Sequence, residues 1–331
     1  MAPTSPPAPL VADQRAEVRA ILEDHGALAG SYAVLGPDPW RVLFTDDRSS
    51  FVPLLEHGGV VLCWRGPVGP DPAAALDVVL DYCRSRRRGL FILECDAAVA
   101  GLCRARGMSS RHIGTEVAVD LTSFSLAGRR RSKLRLAVNH ARGVGITWRP
   151  LDPSDEVDAR SMDQVEAAWK AERKERQTDS FLRTDWQDLM AHRRYLGAFD
   201  RGVLVAMVTS TPLSAKGWYL HDLVRHPKAE RGALEGAITS SLEAMANEGF
   251  TLASSGPLPM WSPEGDLTPT GAVSKAIYHQ FDRAFRFASI NRFRLKLDGD
   301  HLEPIFVTYT RASLRPDRIW SLVHLLHHRL R

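Results

Sequence analysis

The sequence is poor in cysteine and has no long hydrophobic run. Its four cysteines are Cys63, Cys83, Cys95 and Cys103, and no two of them form a C-x-x-C pair. Metal-ligand and disulfide-framework spacing is therefore absent, so we expect reduced core thiols and no metal site. No apolar stretch approaches the roughly 18–20 residues that a membrane-spanning helix needs. The Pro-rich start also lacks the basic segment of a signal peptide. These absences predict a soluble, cytoplasmic protein without a transmembrane segment.

A strong net charge is absent as well, but the basic residues are clustered. The formal net charge is only +4 at pH 7 over 331 residues. Three clusters contain Arg84, Arg86, Arg87 and Arg88; Arg129, Arg130, Arg131, Lys133 and Arg135; and Lys170, Arg173, Lys174 and Arg176. One such cluster is typical of a solvated helix face. Three such clusters together favour a polyanionic partner, either nucleic acid or anionic lipid, as strongly as they favour solvated helix faces.

The hydrophobic pattern predicts two successions of similar elements, and the length exceeds that of a typical single core. The first half is expected to contain a helix over 13–25, strands over 31–35, 40–44, 50–55 and 60–64, a helix over 72–87, a strand over 90–94, a helix over 97–106 and a strand over 114–121. The second half is expected to contain helices over 154–176 and 186–192, strands over 195–199, 203–211 and 218–224, a helix over 232–248, a strand over 250–254, a helix over 272–285 and strands over 293–297 and 305–310.

This repeated order resembles the GCN5-related N-acetyltransferase (GNAT) fold, in which the loop and helix after the central strand receive the acyl carrier. We therefore expect an α/β protein of two tandem GNAT-like domains joined by a basic helix. The expected boundaries are a disordered tail over 1–12, an N-terminal GNAT-like domain over 13–123, a basic connecting helix over 124–145 and a C-terminal GNAT-like catalytic domain over 146–331.

Short motifs along the chain carry a more specific resemblance. They are Gly66–Gly69, reading G-P-V-G; Ile113–Leu121, reading I-G-T-E-V-A-V-D-L; Phe124–Gly128, reading F-S-L-A-G; Lys133, Arg135 and Asn139; Trp169 with Ser180–Leu182; Asp222–Arg225, reading D-L-V-R; and Phe293–Leu297, reading F-R-L-K-L. In this order the motifs resemble the catalytic domain of phosphatidylglycerol lysyltransferases. The chain departs from that pattern at Arg65-Gly66, where the family has G-D.

The resemblance implies that an aminoacyl group passes from a charged tRNA to a hydroxyl or amine acceptor. An aminoacyl ester is already activated, and the sequence has no G-x-x-x-x-G-K-[ST] run for ATP, so we expect no cofactor beyond the aminoacyl-tRNA co-substrate. The acceptor stays open between a phosphatidylglycerol-type lipid and a soluble small molecule, because the family's membrane-embedded module has no counterpart in the sequence. The alternatives are a CoA-dependent GNAT N-acyltransferase and a non-catalytic tRNA- or lipid-binding protein.

Asp222 and Arg225 are the first candidates for catalysis, at the end of the predicted central strand. Asp222 could hold the α-ammonium of the amino acid or act as a base, and Arg225 could stabilise an oxyanion or grip a terminal phosphate. Alternatively, the two side chains pair with each other and only shape the cleft. His221 and His226 flank the same strand end and rank second, as general bases. Glu116 also ranks second: we expect a structural role or, alternatively, contact with the acceptor.

The basic segment between the two halves is the main candidate for binding tRNA. Its candidate residues are Arg129, Arg130, Arg131, Lys133 and Arg135. Arg294 and Lys296 alternate with apolar residues, which predicts that both lie on one face of a strand. Either that face contacts tRNA phosphates, or its charges protect an exposed sheet edge from pairing with another chain.

Two further segments bear on the alternatives. Acetyltransferases of this fold usually carry [QR]-x-x-G-x-[GA], whose backbone N–H groups bind pyrophosphate. Here the segment from Arg231 reads R-G-A-L-E-G-A, with Leu234 at the first glycine position, which argues against CoA. At the C terminus, residues 316–331 have an amphipathic pattern. This pattern predicts packing onto the second domain or, alternatively, peripheral contact with a membrane.

Overall fold

The computed structural model describes residues 9–26, 28–37, 40–172, 184–268 and 287–327, together with 271, 275, 278, 279 and 282. The first half contains, in chain order, helix α1 (Ala12–His25), a 3-10 turn (Ser31–Leu35), strands β1 (Arg41–Phe44), β2 (Phe51–His57) and β3 (Val60–Trp64), helix α2 (Pro72–Ser85), strand β4 (Gly89–Cys95), helix α3 (Ala97–Ala105) and strand β5 (Ser109–Asp120). Asp71 and Asp96 begin α2 and α3, because each carboxylate accepts the N–H of the third residue that follows.

The second half repeats this order. It contains helix α4 (Ser132–Gly143), strand β6 (Thr147–Pro150), helix α5 (Glu156–Glu172), strands β7 (Arg194–Asp200), β8 (Val203–Ser214) and β9 (Gly217–Arg225), helix α6 (Ala233–Asn247), strand β10 (Leu252–Pro259), the short strands β11 (Trp261–Ser262) and β12 (Gly265–Asp266), helix α7 (Phe287–Arg294), strand β13 (His301–Tyr309) and helix α8 (Pro316–His327). The expected α/β fold with two tandem GNAT-like halves is confirmed.

One sheet runs through both halves. Its strand order is β1-β2-β3-β4-β13-β5-β10-β9-β8-β7-β6. Strand β13, from the C-terminal end of the chain, lies between β4 and β5 of the first half and is antiparallel to both. Strand β5 in turn pairs with β10 of the second half. The two halves therefore share one hydrogen-bonded sheet.

Each half contains one parallel strand pair. Residues Val60–Trp64 of β3 pair with β4 along their whole length. In contrast, β9 and β10 pair only over Gly217–Tyr219 and Leu252–Ser254, at the start of each strand. Beyond these residues the two strands separate, and β10 has a bulge between Ser254 and Gly256 on its other side. The second half therefore has an opening at the carboxyl ends of its parallel pair, where α/β proteins usually bind ligands.

Helices cover both faces of the sheet. In the first half, α2 and α3 pack on one face, whereas α1 and α8 pack on the other. In the second half, α4 and α6 pack on one face and α5 packs on the other. Alternate residues of the central strands enter the two cores, because successive side chains of a strand point to opposite faces. Helix α8 contacts β2 and β3, so the prediction that the C-terminal segment packs onto the second domain is wrong.

Three other predictions also need correction. Residues Ser31–Leu35 form a 3-10 turn and not a strand, because a short apolar run is compatible with any buried conformation. Residues Phe293–Leu297 end helix α7 and continue as a 3-10 turn. The alternation of apolar and basic residues over 293–297 suggested a strand. Phe293 and Leu297 enter the same core because they are four residues apart, about one helical turn. The basic helix begins at Ser132 and not at residue 124.

Some expectations lie outside the described residues. The predicted helix over 272–285 and the motif Ser180–Leu182 fall there, wholly or mostly. Within the described part, no helix combines the length and the apolar character that crossing a bilayer requires. The segment predicted as a helix over 186–192 is a series of turns that ends in a 3-10 turn, Met190–His192.

The contact between α4 and α6 gives a first prediction. Gly232, with φ +92°, lies so close to the carbonyl of Ala137 that an added Cβ would overlap it. Gly202, with φ +83°, has the same left-handed backbone, but a Cβ added there would have no described atom within 4 Å. Gly202→Ala should cost about 1–2 kcal/mol of unfolding free energy, and Gly232→Ala about 1–3 kcal/mol more. Denaturant unfolding measures both, and equal losses would contradict the close packing of the two helices.

Candidate active site

A β-bulge shapes the end of β9. Leu220 pairs with Ser210 and Leu223 pairs with Val208, so His221 and Asp222 together face Thr209. The Asp222 N–H donates to Thr209 Oγ1 at 3.0 Å, and the Thr209 hydroxyl donates to Asp222 Oδ2 at 2.9 Å. A bulge re-aims side chains and is common beside active sites. It directs the Asp222 carboxylate into the protein, where the side chain is only 4% exposed.

Asp222 forms a buried ion pair with Arg193. The Arg193 Nη1 atom lies 3.0 Å from Asp222 Oδ2, and the Arg193 side chain is 1% exposed. The same guanidinium donates to the Asp185 carbonyl at 2.6 Å and to His221 Nδ1 at 3.1 Å. Asp222 thus serves to hold Arg193. Sequence reasoning missed Arg193, because this residue precedes β7 outside any motif.

His221 is a neutral hydrogen-bond donor. Burial, more than any other cause, lowers its pKa to about 4; Arg193 and Arg294 also lower this pKa, whereas Asp222 opposes the shift. Since Nδ1 accepts from Arg193, the single proton of the neutral ring lies on Nε2. His221 can therefore donate to a developing negative charge through Nε2, but Nε2 has no free lone pair for a general base.

Arg225 and His226 lie outside this buried network. Arg225 is exposed at the end of β9, opposite Ala206. Among the described residues no carboxylate lies within ion-pair distance of it, so the alternative in which Arg225 pairs with Asp222 is wrong. His226 is half-buried, and its Nδ1 accepts the Lys228 N–H at 3.1 Å, which stabilises a local turn.

Glu116 belongs to a second buried ion cluster. Its carboxylate accepts from the Ala29 N–H at 3.1 Å, the Ser254 hydroxyl at 2.7 Å and Arg65 Nη1 at 2.8 Å. Arg65 Nη2 also lies 2.8 Å from Glu94 Oε2. The expected structural role of Glu116 is supported, because this carboxylate connects β5 with β3 and β10. The sequence pointed to Arg65 only as a departure from a family motif, and it did not point to Glu94.

Arg294 covers the opening between β9 and β10. It donates to the Pro257 carbonyl, and an added Cβ at Gly256 would lie 2.9 Å from both Arg294 Nη2 and Tyr219 Cε2. Gly256 therefore leaves the space in which the guanidinium packs beside the Tyr219 ring. The other N–H groups of Arg294 have no hydrogen-bond partner among the described residues. Burial raises the pKa of Tyr219, although Arg294 and Arg65 act in the opposite direction, so its hydroxyl stays protonated.

Lys296 points elsewhere. Its Nζ lies 3.4 Å from Glu235 Oε1, at the start of α6, and 5.5 Å from the centre of the Phe293 ring. The two basic residues follow a helix and a 3-10 turn, and they do not share the face of a strand that the sequence predicted.

The predicted tRNA-binding segment divides into two groups. Arg130 pairs with Asp298 and Asp300, while Arg131 is 5% exposed and also pairs with Asp300. Arg135 donates to the carbonyls of two residues in the preceding loop. These three arginines hold the chain in place. Arg129 and Lys133 are exposed and have no ion-pair partner in the described part of the chain.

Exposed cations lie on the loop that follows β9 and at the start of α4. They are Arg225, Lys228 and Arg231 of the loop, and Arg129 and Lys133 before and in the first turn of α4. The later part of α4 contacts the loop, because His140 Nε2 is 3.9 Å from Glu230 Oε2 and Gly232 packs on the Ala137 carbonyl. The start of α4 lies nearer the beginning of β10, where Asp300 pairs with the arginines that precede the helix. We call the five exposed cations the basic rim.

The fold and the cleft define a tandem GNAT-like protein. The family model described as phosphatidylglycerol lysyltransferase, C-terminal, matches residues 19–309. The chain therefore belongs to this family.

Curated relatives include the lysylphosphatidylglycerol biosynthesis bifunctional protein LysX of Mycobacterium avium (strain 104), which is 27% identical over 243 residues, 68% of this chain and 20% of the relative. The LysX protein of Mycobacterium leprae (strain TN) is 26% identical over 243 residues, 68% of this chain and 21% of the relative. The chain thus spans about a fifth of the length of these relatives.

Two solved structures share the fold. One is the C-terminal domain (DUF2156) of a protein assigned as a lysylphosphatidylglycerol synthetase from Agrobacterium fabrum, with a TM-score of 0.80, 18% identity and coverage of 97% of this chain and 99% of that one. The other is L-PGS from Bacillus licheniformis, with a TM-score of 0.79, 16% identity and coverage of 98% and 99%.

The environment of His221 gives a second prediction. Its imidazole should titrate with a pKa of about 4, below the ordinary value of 6.5. Arg193→Met removes a positive neighbour and leaves Asp222, so the His221 pKa should rise. Arg194→Met is the control, because Arg194 pairs with Glu248 at the surface. NMR titration of the imidazole Cε1–H measures the change, and an unchanged pKa in the Arg193 variant would contradict the contact.

The same shift sets the sign of a pH effect on stability. The unfolded imidazole binds a proton near pH 6.5, whereas the folded one binds it only near pH 4. Unfolding therefore takes up a proton between these values, and this group's contribution to stability is lost as the pH falls through the window.

Proposed function

We propose that this chain transfers an aminoacyl group from a charged tRNA to the hydroxyl of a phosphatidylglycerol-type lipid. Family membership gives the reaction class, and one observation carries the assignment to this site. Arg294 and His221 lie at the opening between β9 and β10, and both have N–H groups that can stabilise an oxyanion. The curated relatives are named for lysylphosphatidylglycerol biosynthesis, which agrees with this donor and acceptor.

The reaction needs little chemistry from the protein. The acceptor oxygen attacks the carbonyl carbon of the aminoacyl ester, and the bond from that carbon to the tRNA ribose oxygen breaks. The acceptor proton ends on the ribose oxygen, so the step is balanced without a cofactor. The protein has to orient the two substrates and stabilise the negative charge on the carbonyl oxygen. In this scheme Asp222 is a positioning residue, because it holds Arg193 and through it His221.

The basic rim is the proposed contact for the acceptor end of tRNA. Its five cations are exposed and have no ion-pair partner among the described residues. Phosphate contacts by lysine and arginine supply most of the affinity for nucleic acid and fix its position. Of the residues predicted to bind tRNA, Arg129 and Lys133 keep that role in this proposal. Arg225, predicted to be catalytic, is instead proposed to bind tRNA. The residues with structural roles are Arg130, Arg131 and Arg135.

The start of α6 favours this donor over CoA. A GNAT acetyltransferase binds pyrophosphate at the N-terminus of the corresponding helix. Here Glu235 in the first turn is 8% exposed and pairs with Lys296, so a carboxylate and its counter-ion lie at this helix end. The Trp148 indole N–H donates to the Ala233 carbonyl at 2.9 Å, and α4 packs on Gly232, so protein atoms cover this helix end.

A lipid acceptor is supported by the surface around α8. Trp320 is 74% exposed and Leu314 is 49% exposed. Arg318 donates to the Arg87 carbonyl at 2.7 Å, which brings the arginines that follow α2 beside α8. The exposed cations of this surface are Arg87, Arg311 and Arg315, of which Arg315 pairs with Asp317. Exposed tryptophan among basic residues suits the interface of an anionic bilayer.

Removal of the Arg294 guanidinium tests the proposed site. Arg294→Gln should lower the rate of transfer from charged tRNA to phosphatidylglycerol by about 100-fold or more, because an oxyanion donor is lost. Arg292→Gln is the matched control, since Arg292 is exposed on the same helix. Quenched transfer reactions with both variants, at matched circular dichroism, measure the effect. Activity of Arg294→Gln within a few-fold of the control would contradict the assignment.

The α8 surface gives a separate prediction about membranes. Trp320→Ser should weaken binding to phosphatidylglycerol vesicles roughly tenfold, because the indole no longer enters the interface. Val157→Ser is the control, since Val157 is 66% exposed on α5. Sedimentation with vesicles measures both variants, and vesicles of phosphatidylcholine should bind weakly throughout. Equal binding by the two variants, or transfer only to an aqueous product, would favour a soluble small-molecule acceptor.

A further inference from the structure

Two buried carboxylates, Glu116 and Asp222, and one partly buried carboxylate, Glu94, lie near the opening, and they differ in how many of their hydrogen-bonding positions are occupied. Glu116 accepts hydrogen bonds from a backbone N–H, a hydroxyl and a guanidinium. Asp222 accepts from Thr209 and pairs with Arg193. Glu94 lies beside Arg65 at 2.8 Å, but the angles do not make a hydrogen bond, and its Oε2 has no hydrogen-bond partner among the described residues. Of the three side chains, Glu94 is the most exposed, at 20%.

The backbone holds Glu94 in an unusual conformation. Glu94 has φ +56°, and its partner Arg65, at the end of the adjacent strand, has φ +64°. The left-handed region costs a non-glycine residue about 1–2 kcal/mol, and such residues cluster at functional sites. The Arg65 N–H donates to the Leu93 carbonyl at 2.9 Å, which fixes the two strand ends against each other. The strand ends therefore fix the Glu94 backbone, and the 20% exposed side chain still has one oxygen that its ion pair with Arg65 does not use.

Glu94 is connected to the opening between β9 and β10 through its ion cluster. Its partner Arg65 also pairs with Glu116, which accepts the Ser254 hydroxyl of β10, and the Gly256 N–H donates to that same hydroxyl oxygen. Arg294 packs beside Tyr219 at that opening. The negative cluster of Glu94 and Glu116 thus reaches the segment of β10 beside which Arg294 packs.

We propose that Glu94 binds the α-ammonium group of the aminoacyl donor, an inference that rests on the proposed function. In an aminoacyl ester the ammonium is attached to the carbon next to the carbonyl carbon, so one substrate presents a positive group and a developing oxyanion side by side. The pair Glu94 and Arg294 matches these two charges. Asp222, the residue that the sequence suggested for the ammonium, is neutralised one-to-one by Arg193. Arg65, in contrast, faces two carboxylates, Glu94 and Glu116, so that cluster keeps an excess of negative charge.

A binding experiment isolates this contact from catalysis. The probes are 3′-(L-lysylamino)-3′-deoxyadenosine, which cannot be transferred, and the same compound acetylated on its α-amine. Calorimetric titration should show that the wild-type protein binds the free amine about 10–100-fold more tightly than the acetylated probe, because a charge-assisted hydrogen bond is lost. Glu94→Gln should bind both probes with nearly equal, weak affinity.

Two variants separate recognition from folding. Glu94→Asp keeps the charge beside Arg65 but withdraws the carboxylate by one methylene, so it should fold and show a reduced preference for the free amine. Glu116→Gln removes a structural contact, and it should lower thermal stability without changing the ratio of the two affinities. If folded Glu94→Gln or Glu94→Asp keeps the wild-type ratio of affinities for the free and acetylated probes, the inference about Glu94 is overturned, while the proposed function stands. Failure of the wild-type protein to bind either probe overturns the proposed donor together with the inference.

Discussion

A guanidinium buried between two carboxylates is the constraint on which the rest of the structure depends. Arg65 directly follows β3, Glu94 lies near the end of β4, and Glu116 lies on β5, which pairs with β10 of the second half. Burying three charges is costly, and removal of one partner from such a cluster typically costs about 3–5 kcal/mol. The one guanidinium is shared by two carboxylates, and the Ser254 hydroxyl and the Ala29 N–H complete the bonds of Glu116.

The two halves use the same strand arrangement for different purposes. In the first half the parallel strands stay paired to their ends, and the Arg65 cluster fills that place. In the second half the strands separate after Tyr219, and Arg294 covers the gap. The first half thereby places a buried charged cluster near the opening of the second half. The shared sheet, with β13 inserted between β4 and β5, holds the Arg65 cluster and the opening between β9 and β10 in fixed positions relative to each other.

Local patterns predicted most of the fold but few of the contacts in the site. Strand Val60–Trp64 and helix α6 follow from hydrophobic periodicity and turn residues, and the D-L-V-R motif located the end of β9. The partner of Asp222 could not be predicted, because Arg193 reaches it across a sheet from a segment without a motif. Arg294 drew notice for its charge, but its position depends on the space at Gly256, which only the folded backbone reveals.

The central claim is that the donor is a charged tRNA and the acceptor a lipid. The most direct measurement mixes the wild-type protein with total tRNA charged with labelled amino acids and with phosphatidylglycerol vesicles, and then partitions the quenched reaction between organic and aqueous phases. The account predicts label in the organic phase, with transfer that weakens as salt screens the basic rim. Label that stays on tRNA, together with acetyl transfer from acetyl-CoA in a parallel reaction, would contradict it.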